Sequence, residues 1–307
     1  GNNVAIQVNS AKSYRTYVFS YTNPYFTPDG VSQGFDVYHR TIDTSSTSIA
    51  PYKSASTGAA IRFGFPIGEK ESLGFGIGLD STDITTFDTS PKYYKDFVTE
   101  NGPTNLSIPL TANWISDGKD SFFFPTRGTY QKASLEVAIP GGDLTFYRAS
   151  YQIQQFFPLN SKFTFMLNGE VGYADGYGSS TLPFYKNYYA GGVNSVRGYK
   201  AGSLGPVIND SGNEYRIGGN RKLVGNAEIL WGIPGLEKSL RMGLFFDAGQ
   251  VYGQGLTMNF SDLRYSTGLS AAWISPIGPL KFSFAAPLNK QDNDKSEMFQ
   301  FQLGTTF

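Results

Sequence analysis

Apolar residues occupy every second position over most of this chain. Leu106, Ile108, Leu110, Ala112 and Trp114 alternate with Ser107, Thr111 and Asn113. Ala133, Leu135, Val137 and Ile139 alternate with Lys132, Ser134 and Glu136. Phe299, Phe301, Leu303, Thr305 and Phe307 do the same with Gln300, Gln302 and Gly304. A period of two sorts side chains onto the two faces of an extended strand, and helical periodicity is nearly absent. About fourteen such segments can be marked off, near residues 3–12, 14–22, 31–43, 55–65, 71–84, 105–116, 129–139, 143–156, 162–174, 222–232, 239–252, 263–274, 279–287 and 297–307. Most run about ten residues, the length that crosses a bilayer at the tilt of a barrel strand.

The links between segments also alternate. Pro66–Glu69, Pro158–Ser161, Pro234–Glu237 and Ser275–Gly278 are tight. Residues 44–54, 85–104, 175–221, 253–262 and 288–296 form the other set, mostly long and polar. Short links at Asn9–Ser13 and Pro140–Asp143 interrupt the long set, and 117–128 interrupts the short one. In an up-and-down meander alternate links lie at opposite ends, and outer-membrane barrels keep their short turns on the periplasmic side. On this count the C-terminus shares the short-turn, periplasmic end. Composition agrees: charged residues are 16% of the chain, against about 25% in soluble domains. Phe, Tyr and Trp reach 16%, and there are 36 glycines. No run approaches the roughly eighteen apolar residues of a spanning helix. The opening GNNVAIQVNS has neither the basic start nor the apolar block of a signal peptide. The expectation is an all-β chain folded as a transmembrane antiparallel up-and-down β-barrel, with residues 1–307 forming one outer-membrane domain. A soluble sandwich would carry polar outer faces instead.

Catalytic options are few. The chain has no cysteine, which excludes a disulfide framework, a thiol nucleophile and Cys-type zinc sites. Its single histidine, His39, sits between Tyr38 and Arg40 on a strand and cannot build a histidine cluster. The glycine-rich Gly198–Gly205 lacks the Lys-Ser/Thr ending of a phosphate loop. Asp80 and Asp83 read as strand-end or loop solvation. Lys and Arg total 25 and Asp and Glu total 25, so nothing draws the chain to nucleic acid. No enzyme activity, cofactor, metal or nucleic-acid partner is expected.

Two carboxylates are placed unusually. Leu223, Ala227, Ile229 and Trp231 set one apolar phase, which turns Glu228 to the opposite face. Leu240, Met242, Leu244 and Phe246 set another, which turns Asp247 inward as well. The two segments are joined by a tight Pro-Gly turn and pair as a hairpin. Folding it about residues 236–238 brings Glu228 and Asp247 to diagonal-neighbour distance. Carboxylates that close stay charged either by hydration in a wide lumen or through a cationic partner, and arginine can clamp two with its planar fork.

Residues 184–199 hold Phe184-Tyr185, then Tyr188-Tyr189-Ala190-Gly191-Gly192-Val193-Asn194-Ser195-Val196-Arg197-Gly198-Tyr199. This stretch resembles the loop-six motif of the BamA-type outer-membrane assembly barrels, with its Val-Arg-Gly-aromatic tip. Thr22–Phe26, Phe124–Gly128, Asn226–Glu228, Phe246–Gly249 and Trp273–Leu280 resemble further segments of that family in the same order. The resemblance implies that the loop tip Val196, Arg197, Gly198 and Tyr199 folds back into the lumen, with Arg197 against Glu228 and Asp247. It implies assembly and insertion of other β-barrel proteins into the bacterial outer membrane. Client strands would enter at a lateral seam between first and last strands. Phe299, Phe301, Leu303 and Phe307 would mark the last strand of that seam and resemble the family's C-terminal signal. The implied partners are unfolded outer-membrane β-barrel clients, outer-membrane lipid and lipopolysaccharide. Accessory Bam lipoproteins would act mainly through POTRA repeats, which this sequence does not contain.

The family barrel has sixteen strands. Gly1–Val4 resembles the start of the third, so the first two family strands are expected to be missing. Arg127 stands where the family turn carries an acidic residue, and that turn is given no site. A TamA-like assembly barrel and a two-partner-secretion transporter share the Arg-Gly tip and are the alternative readings. A passive porin would need an open lumen and gives no reason for the tip.

Overall fold

The computed structural model describes residues 1–276 and 278–304 of the chain. Its strands are β1 (Asn3–Ala11), β2 (Tyr14–Asn23), β3 (Ser32–Asp43), β4 (Lys53–Pro66), β5 (Glu71–Thr85), β6 (Thr104–Ser107), β7 (Pro109–Asp117), β8 (Gly128–Ala138), β9 (Phe146–Pro158) and β10 (Phe163–Gly176). Within the long loop that follows lie β11 (Gly198–Tyr199), β12 (Val207–Asp210) and β13 (Asn213–Arg216). The wall resumes with β14 (Arg221–Gly232), β15 (Leu240–Tyr252), β16 (Arg264–Ser275) and β17 (Gly278–Pro287) and ends with β19 (Phe299–Leu303), while β18 (Ser296–Glu297) pairs with β11 apart from the wall. The α-helix α1 (Lys92–Asn101) lies between β5 and β6.

Fifteen strands form one antiparallel sheet in the order β1-β2-β3-β4-β5-β7-β8-β9-β10-β14-β15-β16-β17-β19, with β6 on the side of β5. Wall strands next to one another along the chain pair whether their link is tight, as between β14 and β15, or long, as between β10 and β14. The alternation decides the faces. In β15, Leu244 and Phe246 point outward and stay exposed, while Phe245 and Asp247 are buried on the other side. The same outward phase exposes Ile153 on β9, Leu167 on β10 and Leu269 on β16. Contiguous apolar exposure of this extent is a lipid-facing surface, since water would not tolerate it.

The expected closed barrel is not formed. Among the described residues β1 pairs only with β2 and β19 only with β17, so the sheet keeps two free edges. Alternation and tight links specify faces and neighbours. Closure additionally needs two edges that match in register and stagger, which periodicity does not encode. Here a nine-residue β1, exposed along its whole length, would have to meet a five-residue β19. Phe307, expected at the end of the last strand, lies outside the described residues.

The open sheet is nevertheless curled. Residues 177–220 touch its strands from one half to the other. Tyr52, just ahead of β4, packs edge-on against Phe184 at 5.0 Å. Lys186 pairs with Glu136 of β8 at 2.6 Å. The tip of the same loop reaches Gln300 of β19. A single segment can do this only if the sheet wraps around it. At the long-link end Tyr52, Tyr94, Phe97, Phe184 and Tyr188 close a buried aromatic cluster over the loop base. Tyr94 of α1 stacks on Phe184 at 3.9 Å between centroids.

Candidate functional site

The site is the meeting of the loop tip with the concave faces of β14, β15 and β19. Asn226 lies opposite Asp247 and Glu228 opposite Phe245 in the β14–β15 register. Glu228 and Asp247 are therefore diagonal neighbours on one face. Arg197 bridges them. Its Nε and Nη2 donate to the two oxygens of Asp247 at 2.7 and 2.8 Å. Its Nη1 donates to Glu228 Oε2 at 3.0 Å. The backbone N–H of Arg197 adds a bond to Asp247 Oδ2 at 3.0 Å. The Arg197 side chain is 10% exposed, those of Glu228 and Asp247 7% and 0%.

The carboxylates are satisfied beyond the arginine. Ser270 of β16 donates to Glu228 Oε1. Asn226 donates to Asp247 Oδ1 at 2.8 Å and to the Ser195 carbonyl at 2.7 Å. Asn226 in turn accepts from Asn168, which accepts from Gln152, so a chain of amides runs from β9 to β15. The guanidinium lies 3.5 Å from the centroid of the Phe245 ring, a cation–π contact in a desolvated place. Burial works against the charged guanidinium, but the hydrogen bond to Asp247 and the charges of Glu228 and Asp247 outweigh it and hold its pKa above the usual value. Removing two carboxylates and one arginine from water is tolerable only with this degree of pairing.

Backbone geometry aims the tip. Gly198 has φ of +87°, and a Cβ there would lie 3.0 Å from that of Ala285 on β17. A left-handed residue at this point turns the chain so that Arg197 faces β15 while Tyr199 faces the other way. Tyr199 is fully buried and its hydroxyl donates to the Tyr265 carbonyl at 3.2 Å. Val196, also fully buried, packs with Val224 and Val251. Gly198 and Tyr199 form β11, which pairs with Glu297 and Ser296 of β18.

The structure thus places Arg197 between Glu228 and Asp247. It does not bring Phe299, Phe301 and Leu303 to that place: they point outward from β19 and are 48%, 57% and 55% exposed. Their inward neighbour Gln300, missed in the sequence, meets the tip instead, with Gly198 N donating to its Oε1 at 3.2 Å. Asn226, Phe245 and Ser270 were missed too. Asn226 and Phe245 share a phase with Glu228 and Asp247, so the alternation contained them; Ser270 lies on β16, where the sequence reading had assigned no inward residue. One further motif, Gly30-Val31-Ser32-Gln33-Gly34, has the letters of a nucleophile elbow. Ser32 starts a strand rather than a strand-to-helix turn, and His39 lies seven residues on along the same strand, roughly 23 Å away. Among the described residues no group of three or more His, Cys, Asp or Glu could hold a metal ion.

The model of the Omp85 superfamily domain matches residues 1–307. The chain is 39% identical, over 345 aligned residues, to the outer membrane protein assembly factor BamA of Neisseria meningitidis serogroup B, covering all of this chain and 43% of that protein. It is 29% identical to the protein of the same name from Nitratidesulfovibrio vulgaris, covering all of this chain and 38% of that one. The chain therefore spans less than half the length of these two relatives. The crystal structure of BamA from Haemophilus ducreyi lacking POTRA domains 1–3 superposes with a TM-score of 0.92 at 27% identity, over 98% of this chain and 64% of that one.

Proposed function

The chain belongs to the Omp85 superfamily and is integral to the bacterial outer membrane, and we propose that it is the membrane domain, residues 1–307, of a factor that inserts and folds β-barrel proteins there. The observation that carries this reading is the Arg197 clamp, which fixes a long internal loop beside a strand with a free edge. Among the described residues β19 has a strand partner on one side only, and its open side offers an incoming strand a template. Insertion is then driven by the client itself, which buries apolar surface in lipid and closes its own hydrogen bonds. The docked loop holds the curled wall in a working shape and occupies the path of a passive pore. No covalent step is required.

In this reading the tight turns face the periplasm and the long links the exterior. The clients are unfolded outer-membrane barrels, and lipid with lipopolysaccharide surrounds the apolar belt. Accessory Bam lipoproteins bind chiefly to periplasmic segments beyond residues 1–307. Depletion of the parent protein in its own host tests the proposal, with folded outer-membrane proteins quantified by heat-modifiable mobility. A general fall in barrel proteins is the expected result. Loss of a single exported protein would instead establish a secretion transporter, and a steady large conductance from the purified protein would establish a porin.

A further inference from the structure

The loop tip is fastened to two places that are not neighbours in the sheet. Arg197 holds it on β14 and β15. On its other side the tip runs along β18, the residue before it and the last strand. Lys200 N donates to the Lys295 carbonyl at 2.9 Å, Gly198 and Tyr199 pair with Glu297 and Ser296, and Asn194 Nδ2 donates to Gln302 Oε1 at 2.8 Å.

Gln300 sits at the centre of this seam. It is 5% exposed on the inward face of β19. Its Oε1 accepts from Gly198 N at 3.2 Å while its Nε2 donates to the Tyr199 carbonyl at 2.7 Å and to Glu297 Oε2 at 3.2 Å. A primary amide that accepts from one backbone N–H and donates to the next residue's carbonyl ties one side chain to two consecutive residues of the tip. It does so in the direction perpendicular to the sheet, where β19 has no strand neighbour. β19 itself is short, with five residues paired to Phe284–Leu280 of β17. A strand held on one edge only takes a large share of its order from such an inward attachment.

We propose that Gln300 is a positioning residue that couples the Arg197-anchored tip to the final strand, so that docking of the tip and order of the free edge are one equilibrium. Undocking Arg197 loosens Phe299–Leu303, and loosening Gln300 undocks the tip. The consequence for client insertion rests on the assembly reading; the coupling itself does not.

Amide hydrogen exchange on the full-length protein in lipid nanodiscs tests this, using wild type, Gln300→Met, Arg197→Ala and the double variant. Methionine keeps the length and bulk of Gln300 and removes both hydrogen-bonding ends. Gln300→Met should accelerate exchange at Gly198 and Lys200 by roughly fivefold to tenfold, the loss of one or two hydrogen bonds. Arg197→Ala should accelerate exchange across Phe299–Leu303, although the side-chain hydrogen bonds it removes go to Glu228 and Asp247. The double variant should exchange no faster than Arg197→Ala alone, because an undocked tip no longer feels Gln300. Effects confined to each variant's own segment, or factors that multiply in the double variant, overturn the proposal. If Arg197→Ala does not fold, Arg197→Lys serves in its place with the same comparison. Client insertion is measured separately on the same nanodiscs. Its absence from wild type would count against the assembly reading and leave the exchange comparison to decide the coupling.

Discussion

At the scale of single residues, the clamp is asymmetric in its sensitivity. Arg197 neutralises two carboxylates that are 7% and 0% exposed. Arg197→Ala strands both charges, a change that costs about 3–5 kcal/mol when a buried pair is broken. Arg197→Lys keeps a charge but loses the planar fork that meets Asp247 with two nitrogens and Glu228 with the third. Its denaturant midpoint in lipid vesicles should fall between wild type and Arg197→Ala. Equal midpoints for the lysine variant and wild type would show that the fork contributes nothing. A gentler probe lies one strand away. A Cβ on Gly243 would overlap Glu228 Oε1 and Ser270 Oγ. Gly243→Ala should therefore push Glu228 off Arg197 while leaving the two-point contact with Asp247 in place. The expected loss is about 1.5–3 kcal/mol, that of one charged hydrogen bond, read as a smaller midpoint shift than Arg197→Ala gives.

Elements divide by how they announce themselves in the sequence. The wall strands did so through a period of two, and the β14–β15 hairpin even disclosed the facing of Glu228 and Asp247. The structures inside the links were harder to see. In α1, Tyr94 and Phe97 are buried and Val98 packs beside them, a spacing of three and four that marks a helix face. Ten residues give only one such repeat, and it lies inside a long polar link where neighbouring tyrosines blur it. The β12–β13 hairpin turns at Ser211-Gly212, both at positive φ, and its two four-residue strands are too short for alternation to stand out. Neither element has a core of its own; both depend on the aromatic cluster at the loop base. Phe184 is the hinge of that cluster, fully buried among Tyr52, Tyr94 and Phe97. Phe184→Ala should cost about 3–5 kcal/mol. Because the cavity opens under the loop base and not under the tip, limited proteolysis should then cut α1 and residues 177–190 first. Cleavage of the wall strands before these segments would contradict this order.

For the whole molecule, the alternation tells inside from outside but not whether the edges meet. That explains why the faces of the wall were legible while its closure was not. It also makes a contrast available that depends on the membrane alone. Leu269 lies mid-strand on the outward face of β16 and is 50% exposed. Gln154 lies on the opposite face of β9 and lines a polar cavity of about 540 Å³ shared with Lys132, Asn168 and Glu170. An arginine at either place adds the same charge and similar bulk. If the outward face meets hydrocarbon, Leu269→Arg should cost about 2–4 kcal/mol, the value for an arginine near the bilayer midplane. Gln154→Arg places its charge in a wet cavity beside the Glu170 carboxylate and should cost far less. Both are read as denaturant midpoints in vesicles of fixed composition. Repeating them in short-chain detergent micelles should shrink the Leu269→Arg penalty, because a micelle lets the guanidinium reach water. The Gln154→Arg value should not move, since that cavity is made by the protein. Equal penalties in vesicles would mean that the curled sheet does not separate lipid from water as its alternation requires.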